Sequence, residues 1–464
     1  LPNLETCCST ADTLCIELSD SKQTMQLGTD EWDKAIGDWQ AARDLWVRTH
    51  SEDDKVEALR EERRARKALK KLAEWRPSYD SSWLDTDFLT ACEQPNSTDV
   101  RKLFVAPDGW DIVIGNPPYQ LSNDRERERG QRLGYIARNN LYTMFIEAAM
   151  EACKEHGCVT LVVPHSIVFR REESYKKLRK KIEEFADRIE IRTFDNRPKP
   201  VFPHIPWVKI HQTSSESRQR VTILSARKGV SHNPIITSRG LIRLDAERRR
   251  EILRADQDAI VQPRFHRQWT QAPSAATVQL LEKMWAEAKD KVRMQDKATR
   301  TVAFPQTAMY FVPCLPVELS PLKNPKLYKL DDDEFFWPWI GLYNSHLFHA
   351  YWLMTGDAFH VTGTDYSSVA PPAGWKDESL RAQIERAAKL LVSKKNLDAC
   401  RVAHAGSGGS KWPNMNFHGR QEGREIVSIL DRLLIEAYDL EEQPLLSHVR
   451  MMRTGSAHDL SALH

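Results

Sequence analysis

The chain has 464 residues, 41% hydrophobic and 28% charged, the profile of a folded globular protein of two or three domains. Lys and Arg number 67 against 65 Asp and Glu; the net charge of +2 and pI of about 8.1 permit local cationic patches but not a strong basic field. No apolar run approaches the roughly 18 residues of a membrane span, Leu1–Leu14 lacks the flank and core of a signal peptide, and the eight cysteines form no Cys-x-x-Cys pair that would argue for zinc. A cytoplasmic protein with reduced thiols is expected.

In chain order, LETCCSTAD (4–12) reads as a short strand and the turn after it. Residues 31–76 are strongly helical, with Glu and Lys/Arg interleaved at helical spacings, the pattern of a solvated helix or helical hairpin. At residue 111 the rhythm changes. DIVIG (111–115) is a short buried-type strand; LYTMFIEAAMEACKEH (141–156) is helical and ends at Gly157; CVTLVVP (158–164) is another strand. A basic helix (173–188) and the strands IEIRTFD (189–195), WVKIHQTSS (207–215) and VTILSAR (221–227) follow. Strands alternating with helices predict a parallel α/β sheet covered on both faces. The alternation stops near residue 228, where a domain boundary is expected. Beyond it lie mixed segments, an aromatic-rich stretch (335–353), a Gly/Ser loop (405–410) before KWPNMNFHGR, and an amphipathic helix over about 422–438.

The motif with chemical content is Asn116-Pro117-Pro118-Tyr119, directly after DIVIG. A buried strand delivers a proline-stiffened turn at its carboxyl end, where open α/β sheets place ligands. The Asn116 side-chain oxygen and the Pro117 carbonyl are two acceptors held side by side, and Tyr119 offers a flat face. That arrangement suits methyl transfer to an exocyclic amine, a poor nucleophile because its lone pair is delocalised. Two hydrogen bonds from the NH₂ group favour the pyramidal nitrogen of the transition state, and an aromatic ring stacks on a base taken out of the duplex. A plain structural Pro-Pro turn is the alternative.

With the stretches around it, this motif resembles the gamma-type N6-adenine DNA methyltransferases, above all the methyltransferase and target-recognition part of type IIG restriction–modification enzymes. The resemblance implies a partial Rossmann-like, S-adenosylmethionine-dependent α/β catalytic domain over 1–228, with a helical insertion at about 28–95. A mixed α+β target-recognition domain would follow over 229–464. It implies catalytic roles for Asn116, Pro117, Pro118 and Tyr119. NNLYTMFIEAAM implies cofactor contact by Phe145, with Tyr142 nearby; PVFPHIPWVKI implies that Phe202 closes the other face of the flipped base; LPNLETCCSTADTL implies that Asp12 bonds the cofactor's adenine. Each keeps an alternative: core packing for Phe145, a turn or helix cap for Asp12. The loop Leu121–Leu133 carries Arg125, Arg127, Arg129 and Arg132 where the family's chain approaches DNA, so phosphate contact stands beside a solvated loop. Lys411, Trp412 and Arg420 are weaker candidates.

The family's Gly-rich loop and the acidic residue after it should precede Leu1, so an N-terminally incomplete chain is expected. In the family's sheet two strands then lie beside DIVIG that this chain lacks. The expectation is an exposed apolar edge, a poorly folded front half, or a second polypeptide that completes it. The implied partner is duplex DNA; no membrane is involved. Two other readings stay open: a non-catalytic DNA-binding fragment, and a methyltransferase acting on protein or RNA.

Overall fold

A computed structural model describes residues 109–196, 201, 220–244, 259–263, 265, 268–285, 300–305, 312–322, 324–330, 334–405, 411–418 and 420–454, with the helical positions Lys34, Asp38, Ala41, Glu57, Arg60, Glu61, Arg64, Lys67 and Ala68. The expected strands at 4–12 and 207–215 lie outside these residues. The chain forms two compact units, residues 1–113 with 118–159, and residues 114–117 with 160–464.

Strand β1 (Trp110–Gly115), which passes from the first unit into the second, leads to helices α1 (Asp124–Arg132) and α2 (Leu141–Ala152) of the first unit, and β2 (Cys153–Pro164) follows, its last five residues in the second. The stretch expected to be a loop over 121–133 is therefore mostly helix, for local reasons. Asn123 Oδ1 accepts the N–H of Glu126 (2.9 Å) while Glu126 Oε2 accepts the N–H of Asn123 (2.8 Å), a reciprocal cap. At the other end Tyr135 N–H bonds Gly130 O (2.8 Å) and Gly134 N–H bonds Gln131 O (3.1 Å), with Gly134 at φ +72°. This is the left-handed stop that glycine adopts without strain. Helix α2 is buried on nearly every side. Its Glu147, fully buried, accepts the N–H groups of Ile136 (2.8 Å) and Ala137 (3.4 Å) and so binds the connecting loop to the helix.

Strand β2 starts at Cys153, five residues before the expected position, although KEH favours helix. Pairing with β1 overrides that preference. Lys154 forms an ion pair with Asp111, and Gly157 comes so close that a Cβ there would lie 2.8 and 2.9 Å from the carbonyl oxygens of Trp110 and Asp111.

The second unit carries most of a six-stranded sheet of order β1-β2-β4-β3-β5-β6, where β3 is Ala186–Phe194, β4 Val221–Lys228, β5 Ile235–Ile242 and β6 Ile260–Val261. Strands β3 and β5 are parallel; β4 runs antiparallel to β3, and β6 to β5. The Thr160–Ser225 contact (3.1 Å) and the His165 N–H to Arg220 O bond (3.0 Å) set β2 antiparallel to β4, hence parallel to β3. Four strands therefore end on one edge. The sheet is mixed rather than wholly parallel, because β4 returns beside β3. It also runs past residue 228, since β5 pairs with β3 over Arg188–Phe194. Helices α3 (Ser166–Phe169) and α4 (Glu173–Phe185) connect β2 to β3; α4 buries Tyr175, Leu178 and Ile182 and turns its lysines outward.

The remainder is largely helical: α5 (Ala275–Met284), a three-stranded sheet of order β8-β7-β9 (Leu315–Pro316, Arg300–Phe304, Lys326–Leu330), α6 (Phe336–Tyr343), α7 (His346–Thr355), α8 (Gly363–Ser367), α9 (Glu378–Leu391), α10 (Lys394–Cys400), the hairpin β10–β11 (Arg401–Ala405, Lys411–Met415), α11 (Gln421–Ala437) and α12 (Glu442–Thr454). The aromatic stretch 335–353 forms α6 and α7 at the centre of the largest core, with Trp339, Tyr343, Phe348, Tyr351 and Trp352 buried. Inside it buried His346 meets buried Asp431 through Nδ1 (2.7 Å) and its backbone N–H (2.9 Å), joining α7 to α11.

Candidate active site

The carboxyl edge of the sheet is where the chemistry-bearing residues collect. Strand β1 runs parallel to β2, because Gly109 and Asp111 lie beside Lys154 while Gly115 lies beside Leu161. Asn116 leaves β1 at the same edge as Pro164 of β2, Asp195 after β3 and Arg243 after β5; Arg220, entering the antiparallel β4, starts there too. Across the edge the order is Asn116, His165, Arg220, Asp195, Arg243.

Asn116 is exposed, Pro117 buried, Pro118 exposed and Tyr119 partly buried. Pro117 anchors the turn and the asparagine side chain stays accessible. Burial pushes the Tyr119 phenol up to about 12, so it is neutral at working pH.

Four further residues of this edge escaped the sequence reading: His165, Asp195, Arg220 and Arg243. Buried Asp195 sits between two arginines, Arg220 Nε at 2.9 Å from one carboxylate oxygen and Arg243 Nε at 3.0 Å from the other. The trio carries one excess positive charge, and it ties the residues flanking 196–219 to each other and to β5. Beside it the Gln271 amide lies 2.6 Å from His165 Nε2. Burial, aided by the Arg220 charge, pushes His165 down to about 3 and keeps it neutral. Nothing local in the sequence signals these pairs; their partners are 25 to 106 positions apart.

Of the other expected residues, Tyr142 is 1% exposed and belongs to the core, whereas Phe145 is partly buried against Tyr135, Leu141, Met144 and Ala148. Phe145 thus keeps surface for a ligand. Arg125, Arg127 and Arg132 are exposed on α1. Arg127 bonds Ser122 O and Asp124 and so helps close the start of its own helix, while helical spacing puts positions 125, 129 and 132 along one face. Asp12 and Phe202 lie outside the described residues. Among the described residues no group of His, Cys, Asp and Glu side chains comes together to hold a metal, and no helix is long and apolar enough to cross a membrane.

No curated protein matches the sequence. Among solved structures the chain is similar to the ATP-dependent Type ISP restriction-modification enzyme LlaBIII bound to DNA, with 12% identity over 48% of this chain and 17% of that one and a TM-score of 0.29. It is similar to the type IIG restriction endonuclease BpuSI with 11% identity, over 71% and 54% of the two chains, TM-score 0.27. For a putative class I S-adenosylmethionine-dependent methyltransferase from Listeria monocytogenes the values are 14%, 51% and 73%, TM-score 0.23. The chain spans less than two thirds of either restriction enzyme. Residues 23–202, less than half of the chain but including the Asn116–Tyr119 turn, match the model of the Eco57I restriction-modification methylase family.

Proposed function

We propose that this chain is the catalytic and DNA-reading part of a restriction–modification DNA methyltransferase that methylates the N6 amine of an adenine swung out of the duplex. The observation that carries this reading is the place of the Asn116–Tyr119 turn: accessible, proline-anchored, and at the carboxyl edge of a mixed α/β sheet. The family match over residues 23–202 supports it.

On this reading the Asn116 side-chain oxygen and the Pro117 carbonyl accept the two N–H bonds of the target amine. As the nitrogen turns pyramidal its lone pair swings out of the ring's conjugation, and the two acceptors stabilise that geometry more than the planar one. Tyr119 bears on the base through its ring face, since its phenol stays protonated. Pro118, exposed, stiffens the turn. S-adenosylmethionine, when bound, supplies the methyl group. Of the residues assigned to it within the described region, Phe145 has the exposure to pack on an adenine ring and Tyr142 does not. Arg125, Arg129 and Arg132 on one face of α1 are the proposed phosphate contacts.

A second reading, a non-catalytic DNA-binding fragment completed by a partner chain, is favoured by the exposure of Ile112 (64%) and Ile114 (59%) on the edge strand. Both readings meet one experiment. The chain, with and without candidate partner chains, is incubated with radiolabelled S-adenosylmethionine and mixed-sequence duplex, and the labelled base is identified. The catalytic reading expects N6-methyladenine, abolished by Asn116→Ala with DNA binding retained. Near-full turnover in Asn116→Ala, or label on cytosine, overturns it.

A further inference from the structure

The same sheet edge carries a second outward-facing aromatic that the Asn116 turn does not explain. After α7 the chain makes a tight turn at Asp357–His360. Asp357 Oδ1 accepts the N–H groups of Phe359 (2.8 Å) and His360 (2.6 Å), and its Oδ2 lies 2.7 Å from His360 Nδ1. Ala358 sits at φ +55°, a left-handed conformation that a residue with a Cβ adopts only at a cost. The turn is also fastened from outside. Arg220 Nη1 donates to Asp357 O (3.3 Å), Trp352 Nε1 to His360 O (3.1 Å) and Lys326 Nζ to Val361 O (3.1 Å).

What this scaffold holds is the reverse of a core arrangement. Ala358 is 1% exposed, whereas Phe359 is 37% exposed and the His360 side chain 56%, their rings edge to face at 4.7 Å. An exposed phenylalanine on a free loop needs no explanation; one held outward by a strained, multiply fastened turn does. Arg220 fixes the location. It opens β4, two strands from β1 in the sheet order, so its backbone lies about 10 Å along the edge from Asn116, and its side chain fastens the turn to that edge.

We propose that the Asp357–His360 turn is a DNA contact in which the ring of Phe359 stacks on a base beside the one presented to Asn116. This rests on the reading of the chain as a DNA methyltransferase. It adds a base-contacting residue from the helical part of the chain, joined to the catalytic edge through Arg220. The strain at Ala358 is the means of holding the ring out before DNA arrives, so less ordering remains to be done on binding.

The test uses the full chain and a fluorescein-labelled duplex pool with a randomised core, read by anisotropy at fixed salt. Phe359→Ala is expected to weaken binding about tenfold, the loss of one base–aromatic stack. Phe359→Trp should restore it; Phe359→Leu, apolar but without a flat face, should not. Val230→Ala, at a position 93% exposed on the β4–β5 connection, serves as the neutral control. Unchanged affinity in Phe359→Ala, or full recovery with leucine, overturns the proposal and leaves the role of Asn116 standing. Failure of the wild-type chain to bind the pool at all overturns both.

Discussion

Tyr119 shows how one side chain's surroundings decide which part of it can act. Half-burial pushes its phenol up to about 12, above the ordinary value of 10.0. A raised pKa means that the folded chain holds the proton more tightly than the unfolded chain does. The associated stability is complete below pH 10 and drains away as pH rises from 10 towards 12. DNA binding should therefore show no tyrosine ionisation up to about pH 10. On the proposed function the working part is the ring, so Tyr119→Phe should bind mixed-sequence duplex like the wild type. Tyr119→Ala should lose about 1–3 kcal/mol, the worth of a base stack. Anisotropy titrations of the two variants at pH 7.5 and 9.5 provide the check; a phenylalanine variant as weak as the alanine one would make the hydroxyl, not the face, the essential group. The Asn116–Tyr119 turn was legible because one short run of sequence contains all of it. His165, Asp195 and Arg220 were not, because each has meaning only through a partner brought by the fold.

Among the elements, β2 teaches where local preference yields. Its first residues read as the end of a helix, and the structure makes them strand because β1 needs a neighbour there. Gly157 is the position that permits the close approach. A Cβ would sit 2.8 and 2.9 Å from two carbonyl oxygens of β1 and 2.7 Å from Cys153 Sγ, and backbone oxygens cannot swing aside. Gly157→Ala should therefore cost about 1–3 kcal/mol, and on the proposed function, by shifting the strand that delivers Asn116, it should lower methylation more than DNA affinity. Gly134 is the contrast. It has open space around it and only its φ of +72° to defend, so Gly134→Ala should cost about 1 kcal/mol and leave turnover alone. Denaturant midpoints beside methylation rates separate the two; equal effects on rate would break the link between β2 packing and the Asn116–Tyr119 turn. Helix α1 was missed for the opposite reason. Its reciprocal cap, Asn123 and Glu126, and its glycine stop, Gly134, stood in the sequence. The run DRERER lacked the apolar periodicity that usually draws attention to a helix.

At the scale of the whole molecule, the second unit is bound by long-range polar pairs that no local pattern announces. Arg171 reaches Asp365 (3.0 Å) across 194 positions, and Trp269 Nε1 reaches Glu183 (2.8 Å) across 86. Removing one partner leaves the other desolvated and unpaired, so such contacts hold the helical part in a fixed place against the sheet. Among the described residues the sheet's strand order begins with β1, and on that strand Trp110, Ile112 and Ile114, alternate residues on one face, are 45%, 64% and 59% exposed. DIVIG has the composition of a strand covered on both sides, and two of its isoleucines are exposed. An edge of this kind pairs with other chains unless something occupies it. Replacing Ile112 and Ile114 by threonine keeps the β-branch that strands favour while making the exposed face polar. The double variant should self-associate less than the parent at equal concentration, by sedimentation velocity or light scattering, with its denaturant midpoint moved by no more than about 0.5 kcal/mol, as for exposed sites generally. If a partner chain covers this edge, the same variant should also bind that partner more weakly. Self-association as strong as the parent's would mean that the edge, for all its exposed isoleucines, is not where the molecule is adhesive.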